Sequence, residues 1–140
     1  MTVARLTLIL SLLVAPLPQV ERRSVAEYLA ELTGPKSRNC GSYLPGGPNW
    51  EERQKTVLDC AMNAVAGGEP FTFMESGLPV DSSVYTGWVR TSKGVLLRYS
   101  YDSAPCGNPS CKERFITSAC PDPNVYMQGP WLRFGCEKPK

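Results

Sequence analysis

The chain has 140 residues, of which 42% are hydrophobic and 20% charged, and its formal net charge is only +2. This length suits one domain with a buried core, and the composition excludes an intrinsically disordered chain. The near balance of charge gives no basic field for nucleic acid, and the absence of histidine excludes Ser-His-Asp, Cys-His and two-histidine zinc-protease sites.

The N-terminal segment has the pattern of an export signal. Arg5 precedes an apolar run over residues 6–14, which is shorter than the roughly 20 residues of a membrane-spanning helix. We therefore predict a signal peptide over residues 1–19, with its cleavage site left open, and one disulfide-rich domain over residues 20–140 without a membrane span. The alternative is an uncleaved segment that anchors an envelope-associated structural protein.

The cysteines indicate disulfides rather than a metal site. They are Cys40, Cys60, Cys106, Cys111, Cys120 and Cys136. An even number in an exported chain predicts three disulfides, and proximity in the sequence favours 40–60, 106–111 and 120–136 among the fifteen pairings possible. A structural zinc site needs a second close pair of ligands, which the sequence lacks, so we predict no metal and no cofactor.

The first predicted helix covers residues 24–33. Ser24 and Glu27 have the spacing of a capping box, and apolar residues recur every three or four positions. Residues 35–48 are rich in glycine, proline and serine, so a loop is predicted there.

The second predicted helix, over residues 49–66, has the stronger signals. Asn49 is a favourable N-cap residue, and Glu52 completes a pattern similar to a capping box. Apolar residues share one face, and Cys60 lies at its margin, where it can reach a neighbouring loop.

The rest of the chain is typical of β-strands. The predicted strands cover residues 71–73, 84–91, 95–101, 115–119 and 126–136, the last interrupted by a Gly-Pro pair at 129–130 and therefore read as an edge or bulged strand. This order predicts an α+β fold, with two N-terminal helices followed by a mostly antiparallel sheet of about four strands. The second helix is expected to pack on that sheet.

Catalysis, if present, would have to use carboxylates. Glu75, Asp81 and Asp102 lie near ends of predicted strands, and two carboxylates in one cleft can hydrolyse a glycoside. Asp81 and Asp102 each precede serine, which favours turn formation instead. We therefore favour a protein that is not an enzyme.

Exposed aromatic residues favour binding. Tyr43 in the glycine-rich loop, Trp131 beside the Gly-Pro pair, and Asn108 in the loop between Cys106 and Cys111 are the predicted contacts. Trp50 and Trp88 are expected to fill the core. The preferred interpretation is a secreted or periplasmic binding or inhibitory module whose partner is an extracellular protein. A small carboxylate-dependent hydrolase is the alternative, and the oligomeric state stays open.

Overall fold

The computed structural model describes residues 21–76, 82–108 and 110–136, without the side chain of Trp131. These residues form helices α1 (Val25–Thr33) and α2 (Trp50–Gly67). The strands are β1 (Arg38–Tyr43), β2 (Phe71–Ser76), β3 (Val84–Arg90), β4 (Leu96–Asp102), β5 (Arg114–Ala119), β6 (Asn124–Gln128) and β7 (Trp131–Gly135).

The strands build one mixed sheet and one separate hairpin. The sheet has the order β1-β2-β3-β4-β5, with β1 parallel to β2 and the other neighbours antiparallel. Strands β6 and β7 pair only with each other among the described residues, and their turn contains the Gly-Pro pair. The α+β class is confirmed, but the sheet has five strands rather than about four, and the predicted last strand is a hairpin.

Strand β1 corrects the predicted loop over residues 35–48. Its sequence includes Gly41 at φ 91°, which reads locally as a turn. It is extended because it pairs with β2, with an irregularity between Asn39 and Ser42, and because Cys40 is bonded to Cys60 of α2. Parallel strands need a long crossover, and α2 supplies it.

The two helices begin differently. The predicted capping box of α1 is present: Glu27 N donates to Ser24 Oγ (3.3 Å) and Ser24 N donates to Glu27 Oε2 (2.6 Å). The predicted cap of α2 is wrong, because Asn49 adopts the left-handed conformation and its side chain caps no backbone N–H. Instead the preceding turn supplies an acceptor for one N–H group at the helix start, with Trp50 N donating to Gly47 O (3.3 Å).

The larger core lies between α2 and the sheet. Val57, Leu58, Ala61 and Ala64 of α2 are buried with Phe71, Phe73 and Trp88 of the sheet. Phe134 of the β6–β7 hairpin closes this core, its ring centroid 5.0 Å from that of Trp88. Trp88 is therefore a core residue as predicted, whereas Trp50 is only half-buried.

The opposite face of the sheet carries α1. Leu29 packs on Val89 and Tyr99, and Tyr99 passes across Gly87 to donate its hydroxyl hydrogen to Phe73 O (3.2 Å). A Cβ atom at Gly87 would collide with that carbonyl and lie 2.7 Å from Tyr99 Oη. Only glycine therefore fits at this position.

The buried carboxylate of Glu113 connects the N-terminal part of the described chain to the start of β5 through hydrogen bonds. Glu113 Oε1 accepts hydrogen bonds from Arg23 N (3.2 Å) and the Tyr28 hydroxyl (3.0 Å), and Tyr101 donates to Arg23 O (3.0 Å). Burial, the largest influence, raises the pKa of Glu113, but hydrogen bonds from its own backbone, Arg23 and Tyr28 outweigh it. The pKa of Glu113 is consequently lowered.

All six cysteines are paired, as Cys40–Cys60, Cys106–Cys111 and Cys120–Cys136. The number of disulfides is confirmed, and the pairing is the one that proximity predicts. Such staples are typical of oxidising, extracytoplasmic compartments. The predicted signal peptide lies outside the described residues, and neither described helix is both long and apolar enough to cross a bilayer.

Candidate functional site: a free strand edge and an adjoining cleft

Tyr43 is not exposed, contrary to the sequence-based expectation. It ends β1 beneath α2 with 3% of its surface exposed, and its hydroxyl donates to Glu75 Oε1 at 2.5 Å. Burial, followed by the Glu75 carboxylate, raises the pKa of Tyr43. The expectation failed because the segment is a paired strand, which places this side chain inside the larger core.

Of the other two predicted contacts, one lies in an exposed loop and the other begins a strand. Asn108 is exposed in the β4–β5 connection, and its Oδ1 accepts from Ser110 N (2.9 Å), so its side chain shapes the disulfide-closed loop. Trp131 begins β7 opposite Gln128, and its side chain lies outside the described part of the chain. A binding role for either residue stays a prediction.

The three candidate carboxylates do not form a described pair. Asp81 lies outside the described residues, and Asp102 Oδ1 accepts from Ala104 N (2.9 Å), as in a turn. Glu75 is two strands from Asp102 and offset by two residues, which places their Cα atoms on the order of 12 Å apart. This arrangement does not favour two-carboxylate hydrolysis.

Strand β5 forms a regular, open edge of the sheet. It pairs with β4 without interruption from Arg114 to Ala119, and no described strand covers its other side. Five of its six residues are exposed, including Ile116 at 53%. Only Arg114 is charged, and the strand contains no proline, so it lacks the features that usually block edge pairing.

The backbone register fixes which groups of β5 point outward. Cys120 N, directly after the strand, donates to Leu96 O of β4 (2.8 Å). Because bonding direction alternates along an antiparallel strand, residues 118, 116 and 114 also bond toward β4. The N–H and C=O groups of Phe115, Thr117 and Ala119 therefore point away from the sheet.

Disulfides hold the surroundings of this edge. Cys111 lies three residues before β5 and closes the loop with Cys106, while Cys120 directly follows the strand and is bonded to Cys136. Phe115 also stacks on Tyr28 of α1, with ring centroids 4.6 Å apart. The conformation of the edge strand is therefore preorganised in the free protein.

A polar cleft adjoins the edge, between the sheet and the β6–β7 hairpin. This hairpin cleft has a volume of about 420 Å³ and is lined by Glu75, Arg98, Ser118, Tyr126, Arg133 and neighbouring residues. Ser118 belongs to β5, so the cleft reaches the edge strand. The described residues contain no cluster of three or more His, Cys, Asp or Glu side chains placed to hold a metal ion.

Neither the open edge of β5 nor the hairpin cleft could be predicted from a local sequence motif. A strand over residues 115–119 is predicted from the sequence, but its position at the edge depends on the order in which the strands pair.

Comparison with family models, with curated proteins and with solved structures finds no match to this chain.

Proposed function

We propose that the protein is an extracytoplasmic binding module that adds an extended segment of a partner protein to the free edge of β5. The observation that supports this most directly is the regular, uncharged, outward-facing strip of backbone at Phe115, Thr117 and Ala119. Its N–H and C=O groups match those of an extended peptide.

Side chains on the two faces of β5 would supply selectivity. Phe115 and Thr117 lie on the α1 face, whereas Ile116 and Ser118 lie on the face of the hairpin cleft. A partner strand would place alternate side chains beside each pair, because neighbours across a sheet interact directly. The half-exposed Ile116 offers apolar area that an added strand would bury.

The disulfides support a binding role because they reduce the ordering that binding requires. Loops already fixed in the bound conformation lose little conformational entropy on association. The same disulfides, together with the predicted signal peptide over residues 1–19, support a partner outside the cytoplasm.

The proposal is tested with an acetylated, amidated seven-residue peptide of alternating threonine and valine. In the wild-type protein, titration should shift the amide resonances of Phe115, Thr117 and Ala119 more than those of Arg114, Ile116 and Ser118. The matched control peptide carries an N-methyl group on every residue, which removes the donors of both edges and should abolish the shifts.

Two proline variants separate the edge from the fold. Thr117→Pro removes an outward N–H, so the protein should fold but lose the peptide-induced shifts. Ser118→Pro removes an N–H bonded to β4 and should destabilise the protein by about 3 kcal/mol. Peptide binding that Thr117→Pro leaves unchanged, or shifts centred elsewhere, would contradict the proposal. A dimer formed through β5 without peptide would identify a second copy as the occupant and would also contradict it.

A further inference from the structure

The hairpin cleft has an apolar floor and a charged rim. Trp88 and Phe134 form the floor, both almost completely buried. Arg98 of β4, Arg133 of β7 and Glu75 of β2 contribute the charged groups, and the two arginines are exposed. Three separate strands therefore bring these groups together.

The rim carries an excess of positive charge. Neither Arg98 nor Arg133 forms an ion pair with a carboxylate of the described residues. Glu75, the one acidic residue of the described lining, already accepts a hydrogen bond from Tyr43 through Oε1. Two guanidinium groups against one carboxylate leave a net charge of +1 in the cleft.

Arg98 lies near the apolar floor, and Arg133 lies beside Tyr126 of the hairpin. The Arg98 guanidinium lies 5.8 Å from the centroid of the Trp88 ring, within the range of a cation–π contact. Arg133 pairs with Tyr126 across the hairpin, so their side chains are neighbours on one face. A Cβ at Gly135 would lie 2.8 Å from Tyr126 Cε1, which shows that this ring packs directly on the glycine.

Neutral donors complete the rim. Tyr126, Ser118 and Gln128 each line the cleft with a group that can donate a hydrogen bond. Guanidinium groups beside such donors are the usual protein ligands of carboxylates, sulfates and phosphates. The volume of the cleft, about 420 Å³, is within the range of small-molecule sites.

We infer that the hairpin cleft binds a small organic anion, in which an oxyanion contacts Arg98 and Arg133 and an apolar ring lies toward Trp88 and Phe134. This site shares Ser118 with β5 but does not require an added strand. Its ligand differs from a peptide strand in needing a charged head group and a compact body rather than an extended backbone.

Titration with matched small molecules at low ionic strength tests the inference, with binding measured by calorimetry and amide shifts. Benzoate should bind and its neutral analogue benzamide should bind far more weakly, because only benzoate carries the anion. Phenyl phosphate should bind more tightly than inorganic phosphate, because the ring adds contact with the floor. Equal binding of benzoate and benzamide, or of the two phosphates, would overturn the inference.

Charge variants locate the site. Arg98→Gln and Arg133→Gln should each weaken benzoate binding about tenfold, the loss expected for one charge-assisted hydrogen bond. Glu75→Gln should strengthen it, because the net charge of the cleft rises from +1 to +2. Arg114→Gln, which removes an exposed arginine outside the described lining, should have no effect.

The variants also separate this inference from the proposed function. If Arg114→Gln weakens benzoate binding as much as the cleft variants do, benzoate is attracted by the overall charge of the protein rather than by the cleft, and the inference is wrong. Thr117→Pro should retain benzoate binding although it no longer binds the peptide. The two proposals can therefore be refuted separately.

Discussion

The two edges of the five-stranded sheet are held in different ways. Strand β1 is anchored covalently by Cys40–Cys60 to α2, its register is irregular, and Arg38 at its start forms an ion pair with Glu69 (2.6 Å). Strand β5 is regular along its whole length and leaves its outer backbone free of described partners. An irregular edge resists pairing with other chains, whereas a regular edge invites it.

The anchors of the two edges also differ in chemistry. A disulfide does not titrate, so the covalent attachment of β1 is independent of pH under non-reducing conditions. The start of β5 is instead attached through the Glu113 carboxylate, which holds Arg23 and Tyr28. Acid should therefore loosen the start of β5 more than β1. Reducing agents should act on both edges, because Cys120, directly after β5, is also bonded to Cys136.

The largest expected effect concerns the covalent anchor. Replacing both Cys40 and Cys60 with alanine should lower the free energy of unfolding by about 3 kcal/mol, because their bond constrains a long loop in the unfolded chain. The matched variant without Cys106 and Cys111 should lose less, about 2 kcal/mol, because those residues are only five apart. Urea denaturation measures both values. A larger loss for the short loop would contradict the prediction.

The next effect concerns the carboxylate anchor. Glu113→Gln should lower the free energy of unfolding by about 1–2 kcal/mol near pH 7, because an ionised acceptor is replaced by a neutral amide. The pKa of Glu113 is lower in the folded protein than its ordinary value of 4.5. Its stabilisation is therefore complete well above pH 4.5 and is lost as the pH falls below it toward the folded pKa.

Denaturation of both proteins from pH 7 to pH 3 provides the measurement. The wild-type and Glu113→Gln curves should converge at the acid end. As the pH falls, amide protection factors, which correct for the slower intrinsic exchange in acid, should decrease first in α1 and at the start of β5, while β1 stays protected. A difference between the two proteins that does not change with pH would show that the carboxylate charge is not responsible.

The smallest effect on stability is expected on the open edge itself. Ile116→Lys should change the free energy of unfolding by no more than about 0.5 kcal/mol, because the side chain is 53% exposed. It should nevertheless weaken the binding of the threonine–valine peptide several-fold, because a lysine on an edge strand opposes pairing with another strand. Val95→Lys is the matched control, since Val95 is 47% exposed but lies in the β3–β4 turn. Equal weakening by both variants would argue against the β5 edge.

Some local interactions were predictable from the sequence, although the cap of α2 was not, and the strand pairing of β1 was missed. The capping box of α1 is contained within four residues, and the turn between β3 and β4 depends on Gly94, whose φ is 81°. Strand β1 was missed because its stability comes from β2 and from Cys60, both distant in the sequence. The burial of Tyr43 was missed for the same reason.

The candidate sites show the same limit. The strand at residues 115–119 was predicted, but nothing in its sequence says that it lies at an edge. Glu75, Arg98 and Arg133 share a cleft only because three strands converge there. No spacing along the chain connects them.

The contact between Gly87 and Tyr99 has a consequence for how this sequence can change over time. A smaller residue at position 99 would lose the hydrogen bond to Phe73 O but would leave Gly87 acceptable. The reverse does not hold, because a side chain at position 87 would still collide with the Phe73 carbonyl, which no substitution removes. Substitutions of Tyr99 by smaller residues are therefore sterically tolerated, whereas position 87 is expected to stay glycine in any descendant that keeps this sheet.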